Sequence, residues 1–343
     1  MTYDALLIVS FGGPESTADV LPFLRNVTRG RGIPEERLAE VAEHYYHFGG
    51  VSPINQWCRS LIQALQADFA ANGVNLPIYW GNRNWPPMLV DAVQRMTGDG
   101  VKRALAFTTS AYGSYSSCRQ YLEDLAAARA AVGSRAPVID KIRHFFDHPG
   151  FVQPFADHLR HSIDQVPAEA EGHTRVLFTA HSIPLAMNDV SGPEGARYTD
   201  QVAETASLVM EAARSRLPYD VVWQSRSGPP ESKWLEPDVN DHLERLAAEG
   251  VKAVVVSPIG FLSDHLEVLW DLDNEAAETA RRLGMSYHRA GTPGLDARVV
   301  TMVRELVAER TDGVAVKRLG KLPLWNPNDD GCCPARRPPG MGR

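Results

Sequence analysis

Six short apolar runs punctuate the chain: "ALLIVSFGGP", "LPIYWGNRNWP", "RALAFTTSAYG", "RVLFTAHSIP", "DVVWQSRSG" and "KAVVVSPIGF". Each gives way to a turn and then to a longer stretch of helical period. Strands alternating with helices of about 10 to 15 residues predict parallel sheets covered on both faces. The expected fold is α/β, with two Rossmann-like doubly wound lobes around a cleft and three strands in each half. The seam falls near "RHFFDHPGFVQPF", residues 143–155, where aromatics and two prolines precede a helix leading to the second strand series at Arg175. This gives an N-terminal lobe over 1–145 and a C-terminal lobe over 146–310. Residues 311–343 are rich in Pro, Gly and charge without an apolar period, and are expected to form a tail with little core of its own. Ligands in such folds sit in the crevice at the carboxyl ends of the strands, so the residues just after each run are the candidates for chemistry.

Composition narrows the classes. With 343 residues, 44% of them hydrophobic, the chain can bury real cores. Lys plus Arg is 35 against 42 Asp plus Glu, a net charge of −7, so no nucleic-acid partner is expected. The apolar runs fall short of the roughly 18 to 20 residues that span a bilayer, and the N-terminus has no basic region followed by a cleavable apolar stretch. A cytoplasmic protein without membrane insertion is the expectation. Four cysteines, Cys58, Cys118, Cys332 and Cys333, lack the spacing of a disulfide framework, which suits a reducing compartment.

The stretch "FLSDHLEVLWDLDNEA", residues 261–276, is the most unusual. If it is helical, Glu267, Asp271 and Glu275 fall at i, i+4 and i+8 and line one face, with no Lys or Arg at i+4 to relieve their repulsion. A solvated acidic stripe is the bland reading. Its position directly after a buried strand favours a row that attracts a hydrated divalent metal or relays protons. In "TAHSIPLAMN", His181 follows a strand and can bind a metal or move a proton, although a lone His is as readily structural. The N-terminal half offers Arg29 and Arg31 in "TRGRG"; His44, Tyr45, His47, Gly49, Gly50 and Ser52 in "HYYHFGGVSPINQW"; and Tyr112, Tyr115, Arg119 and Tyr121 in "SAYGSYSSCRQY". Cations, hydroxyls and aromatic faces together suit a large flat ligand bearing carboxylates. "SFGGP" is not G-x-G-x-x-G, and no P-loop, nucleophile elbow, C-x-x-C or H-E-x-x-H occurs.

Taken in order, "LLIVSFGGPES", "GGVSPINQ", "TAHSIP", "VVWQSRSGPPESKWLEPDV" and "SPIGFLSDHLEVLWDLDNEA" resemble the motifs of the ferrochelatases, which insert ferrous iron into a porphyrin. The resemblance runs from residue 3 to about 310. It implies that His181 and Glu267 are the paired catalytic and metal-site residues, with His181 as proton acceptor and ligand. Asp271 and Glu275 would continue the metal site outward along an acidic ladder. It also implies that Ser52, Tyr121 and Tyr115 contact the porphyrin, that Arg29 and Arg31 meet its propionates, and that the acidic segment widens into a π-helix. The cleft would hold the ring distorted, exposing a nitrogen lone pair.

Some features depart from the family. Phe11 stands where some relatives have an iron-ligating tyrosine. Many relatives hold a [2Fe–2S] cluster on one mid-chain cysteine and three near the C-terminus. Here the mid-chain position is Pro154 and the tail has only Cys332 and Cys333, so a normally ligated cluster is not expected unless Cys118 substitutes. The Ala- and Arg-rich composition, "SYSSCRQY" and the missing apolar lip resemble actinobacterial members. Those imply coproporphyrin III and ferrous iron as substrates, with protoporphyrin IX as the competing ring. A monomer is expected, with hand-off of product to a downstream haem-synthesis enzyme. The rivals are a cobalt or nickel chelatase and a non-catalytic tetrapyrrole or iron binder.

Overall fold

Apolar runs buried on both faces become the central strands of two parallel sheets, as the physics of doubly wound folds requires. In the computed structural model, which describes residues 2–30, 32–228, 231–329 and 331–335, the first sheet contains β1 (Ala5–Ser10), β2 (Ile78–Asn82), β3 (Arg103–Thr108) and β4 (Val138–Lys141). The second contains β5 (Thr174–His181), β6 (Tyr219–Gln224), β7 (Ala253–Ser257) and β8 (Ser286–Arg289). Their orders, β2-β1-β3-β4 and β6-β5-β7-β8, are the same topology twice. In register, Ile8 faces Trp80 and Phe107, while Leu177 faces Asp220 and Val256.

The expectation of three strands per half is corrected to four. The additional strands, "VIDK" and "SYHR", are four-residue edges carrying polar side chains. An edge needs little apolar area, so neither shows as an apolar run.

One apolar core joins the halves: Leu6, Ile8 and Phe107 from the first, Phe145, Phe151 and Phe155 at the seam, and Val176, Phe178 and Val255 from the second. Helix Ala297–Thr311 packs on helices Ile54–Ala71 and Pro149–Ile163, with Arg304 to Asp68 at 2.7 Å and Arg310 donating to the Tyr3 hydroxyl at 2.9 Å. Phe155 is fully buried, its ring 5.2 Å from Phe151 at 83°. Truncating it to Ala is expected to cost about 3–5 kcal/mol. Urea unfolding followed by circular dichroism measures this, and an unchanged midpoint would contradict a shared core at the seam.

The described residues of 312–335 have no regular structure, yet they are not the expected tail with little packing. They return across both lobes, with the Leu319 N–H on the Asp147 carbonyl at 2.9 Å and the Lys321 N–H on Glu204 at 2.7 Å. Leu322 and Leu324 pack on the main core, and Cys332 and Cys333 are buried against Cys118. Anchors this irregularly spaced use a core built by other segments, so they leave no period in the sequence.

Candidate active site

Each sheet reverses its strand order between its two central strands, β1 and β3 or β5 and β7, and a crevice opens at their carboxyl ends. His181 is the last residue of β5, and the chain leaving β7 passes over it to deliver Glu267. The crossing is close: a Cβ on Gly260 would stand 2.6 Å from the Ala180 Cα, so only glycine fits there. His181 Nε2 then lies 3.2 Å from Glu267 Oε1, while its Nδ1 donates to the Ser182 carbonyl. The Tyr198 hydroxyl donates to the His181 carbonyl at 2.7 Å and fixes the backbone from behind.

The two side chains are 37% and 41% exposed, yet protein packs closely around them at the carboxyl end of β5. Burial alone would lower His181, but the Glu267 carboxylate overrides it and raises the imidazole to about 9. Burial alone would raise Glu267, but His181 draws it down to about 2. The resting pair is therefore imidazolium and carboxylate. His265 is a third group beside them; burial lowers its imidazole below the ordinary value, against the pull of Glu267.

Residues Leu269–Ala276 form a π-helical segment, the widening that the family resemblance implies. It carries Asp271, which accepts from Gln224 Nε2 at 3.1 Å and from the Ser225 hydroxyl. Ser225 adopts φ +63°, the left-handed region, just after β6, and this turns its hydroxyl toward the carboxylates. Burial first, then the charge of Glu267, pushes Asp271 up to about 7. Glu275 is exposed, beside an open groove lined by Asn240, Trp270, Asn274 and Arg281. The groove includes neither His181 nor Glu267, so it borders the outer end of the row, away from the pair. The cation that sequence spacing did not reveal, Arg289 on β8, pairs with Asp264 and Asp273. Among the described residues no Lys or Arg pairs with Glu267, Asp271 or Glu275. From the other lobe, His44 stacks on Trp270 with centroids 3.9 Å apart at 7°, and His47 meets the same indole edge-on at 5.6 Å.

Opposite, Ser52 is buried against the loop after β1: its N–H donates to the Pro14 carbonyl at 2.8 Å, and a Cβ on Gly13 would come within 2.6 Å of its own. Tyr121 lies under the Arg83 guanidinium at 4.5 Å, which also stands 5.9 Å from the Phe11 ring and pairs with Asp124. Tyr115 is half-buried, its hydroxyl donating to Glu123 at 2.9 Å. Ser52 and Tyr121 thus flank the carboxyl ends of the first sheet. Arg29 is exposed beyond helix Val20–Val27, and among the described residues no hydrogen bond or ion pair joins it to the other candidates. Arg31 lies outside the described residues. Gln224, Ser225 and Arg83 were not singled out from sequence, and His265 and Trp270 stood in the acidic stretch without a role; "VVWQSRSG" marked the Gln224–Ser225 strand end without identifying the side chains.

A family profile described as Ferrochelatase matches residues 3–311. The chain is 53% identical over its whole length, and that of the relative, to a coproporphyrin III ferrochelatase of Nocardia farcinica (strain IFM 10152). It is 51% identical to one of Mycolicibacterium smegmatis (strain ATCC 700084 / mc(2)155), covering 98% of this chain and 99% of that one. Among solved structures, SirB from Bacillus subtilis with Fe3+ superposes with a TM-score of 0.55 at 12% identity, covering 91% of this chain and 98% of SirB, a likeness of fold. With a profile match over nearly the whole chain and full-length relatives above half identity, the protein belongs to the ferrochelatase family.

Proposed function

We propose that this protein inserts ferrous iron into coproporphyrin III to give Fe-coproporphyrin III, coprohaem, in haem biosynthesis. The observation that carries the reading is the His181–Glu267 pair, backed by a carboxylate row that, among the described residues, meets no Lys or Arg. The full-length relatives, named for this ring, support the choice of substrate.

Metal insertion needs two pyrrole protons removed while a hydrated cation sheds water. In the resting pair His181 already holds a proton and cannot accept another. The Ser225 hydroxyl, hydrogen-bonded to Asp271 and close to Glu267, offers a path by which that proton leaves toward Asp271, whose value near 7 suits exchange at neutral pH. Asp271 passes the proton on to water, so His181 is free to take one pyrrole proton and, emptied again by the same route, the second, while Glu267, Glu275 and the deprotonated Asp271 supply negative charge for the arriving Fe2+. The residues proposed to hold the ring are Ser52, Tyr121 and Tyr115, with Arg29 and Arg31 for propionates. In this division of labour, residues 1–145 supply much of the mouth and 146–310 the metal site.

A [2Fe–2S] cluster is held by four thiolates in the ordinary case, with imidazole in place of thiolate in some centres. Cys58 is buried in the main core, away from the other three cysteines, and Pro154 occupies the mid-chain position, so this chain offers three clustered thiolates, Cys118, Cys332 and Cys333, and no fourth. The reading also takes the protein to be a monomer of the cytoplasm that passes its product to the next enzyme. Four buried cysteines, none in a disulfide, suit a reducing compartment.

The test is anaerobic Fe2+ insertion followed by absorbance, with coproporphyrin III and protoporphyrin IX in parallel. Turnover at least about tenfold faster with coproporphyrin III, about 1.4 kcal/mol of preference, is the expected result. Preference for protoporphyrin IX would overturn the substrate, and insertion into neither ring would overturn the reading.

A further inference from the structure

The edge strand β8 is polar, and its side chains divide by face. The Ser286 hydroxyl and His288 Nε2 lie 2.8 Å apart on one side, while Tyr287 and Arg289 share the other, as alternation along a strand requires. That second face meets the acidic segment. The Tyr287 hydroxyl donates to the Leu272 carbonyl at 2.8 Å. Arg289 spreads its fork over two carboxylates: Nη1 and Nη2 reach Asp264 at 3.2 and 3.0 Å, and Nε reaches Asp273 at 2.5 Å.

These contacts fall where the segment needs them. A π-helix is rare and seldom runs beyond one turn, so the eight residues Leu269–Ala276 need support from outside their own ladder. In an i→i+5 ladder the Leu272 carbonyl would take the Ala277 N–H, but that N–H turns to the Asn274 carbonyl instead. Tyr287 brings a donor to the Leu272 carbonyl from the sheet. Asp264 precedes the extended His265, φ −142°, at the entry to the segment, and Asp273 lies inside the π stretch. Arg289 thus ties the two points between which Glu267 and Asp271 stand. Beyond β8, the Gly294 N–H bonds the Leu262 carbonyl at 2.9 Å and steadies the same approach.

The charges divide in the same way. The segment carries five carboxylates, Asp264, Glu267, Asp271, Asp273 and Glu275. The largely buried Arg289 answers Asp264 and Asp273, and the three left over are the row that leads to His181.

We propose that Tyr287 and Arg289 are positioning residues for metal insertion: from β8 they hold the acidic segment in its π register and so keep Glu267 and Asp271 set against His181. The assignment rests on the proposed function and adds to it the residues that set the site's geometry. Neither side chain touches the reacting atoms. Without the hydroxyl and the guanidinium the segment is free to rewind as an α-helix, which turns Asp271 and Glu275 about the axis relative to Glu267. The row and the imidazole then no longer share a face, and a misplacement of about 1 Å can cost roughly 10²-fold in rate.

The experiment compares Tyr287→Phe, Arg289→Gln and Arg289→Lys with wild type in anaerobic Fe2+ insertion into coproporphyrin III, at a temperature where circular dichroism shows each one folded. kcat is expected to fall about tenfold in Tyr287→Phe and roughly 10²-fold in Arg289→Gln, with KM for coproporphyrin III unchanged. Arg289→Lys should recover part of the loss, because an ammonium keeps the charge without the fork. Hydrogen exchange of the Leu269–Ala276 amides should quicken in Tyr287→Phe and Arg289→Gln. Combined with Glu267→Gln, Tyr287→Phe should add less than its own full factor, since a positioning residue acts through what it positions. A loss of folded protein would instead multiply in full. Unchanged kcat in Tyr287→Phe and Arg289→Gln, full multiplication with Glu267→Gln, or a loss carried by the KM for the ring would overturn this assignment while wild type stays active. A wild type that inserts iron into neither ring would overturn the proposed function and this assignment with it.

Discussion

Glu267→Gln is expected to bring the His181 imidazole from about 9 down to its ordinary 6.5 or below, and to reduce iron insertion by roughly 10²–10⁴-fold. Burial opposes charge on His181, and the neighbouring carboxylate is what overcomes it, so a neutral amide of the same shape leaves burial with less opposition. Asp271, held near 7 partly by the Glu267 charge, should fall toward the ordinary carboxylate range in the same variant. The sign for stability follows. The folded state holds the His181 proton more tightly than the unfolded chain and the Glu267 proton less tightly, so the pair's contribution is complete between 4.5 and 6.5, is lost as pH rises through about 9, and is lost again as pH falls through about 2. Imidazole resonances followed by NMR against pH read the first effect directly, and anaerobic turnover reads the second. A His181 titration unmoved by the substitution would show that Glu267 does not govern the pair.

What the sequence revealed and what it hid follow from where each feature's information lies. Central strands such as "AVVVS" are buried on both faces and must be apolar throughout, so they are legible locally. The edge strands β4 and β8 are half-wet, and only their neighbours make them strands. The carboxylate row was legible because its three members lie in one segment. Its π widening came from the family resemblance and not from the spacing, since that turn depends on the packing of Leu272 and Ala276 beneath it. Ser225 was hidden because its role rests on a left-handed backbone at the end of β6. Arg289 was hidden because its carboxylates, Asp264 and Asp273, belong to another element. The three cysteines could be named together from the sequence, but their convergence could not be read there: two adjacent cysteines in a Pro-rich segment give no sign that the segment turns back on Cys118.

His181→Ala should abolish iron insertion, by at least about 10²–10⁴-fold, while leaving the ring-binding lobe able to take up coproporphyrin III. The fold has reason to survive the change. Tyr198 holds the His181 carbonyl, β5 pairs with β6 and β7 through its backbone, and none of these contacts uses the imidazole. What is lost is the base at the carboxyl end of β5, and Glu267, held at about 2 by its partner, should rise once that partner is gone. Porphyrin binding by fluorescence and insertion by absorbance separate the two functions. Added imidazole is the decisive arm, because a small base that fits the vacated space restores turnover only if the missing group handled a proton or a metal. A variant that keeps full turnover would make His181 a structural residue, and one that loses porphyrin binding in step with turnover would place it in the walls of the ring site.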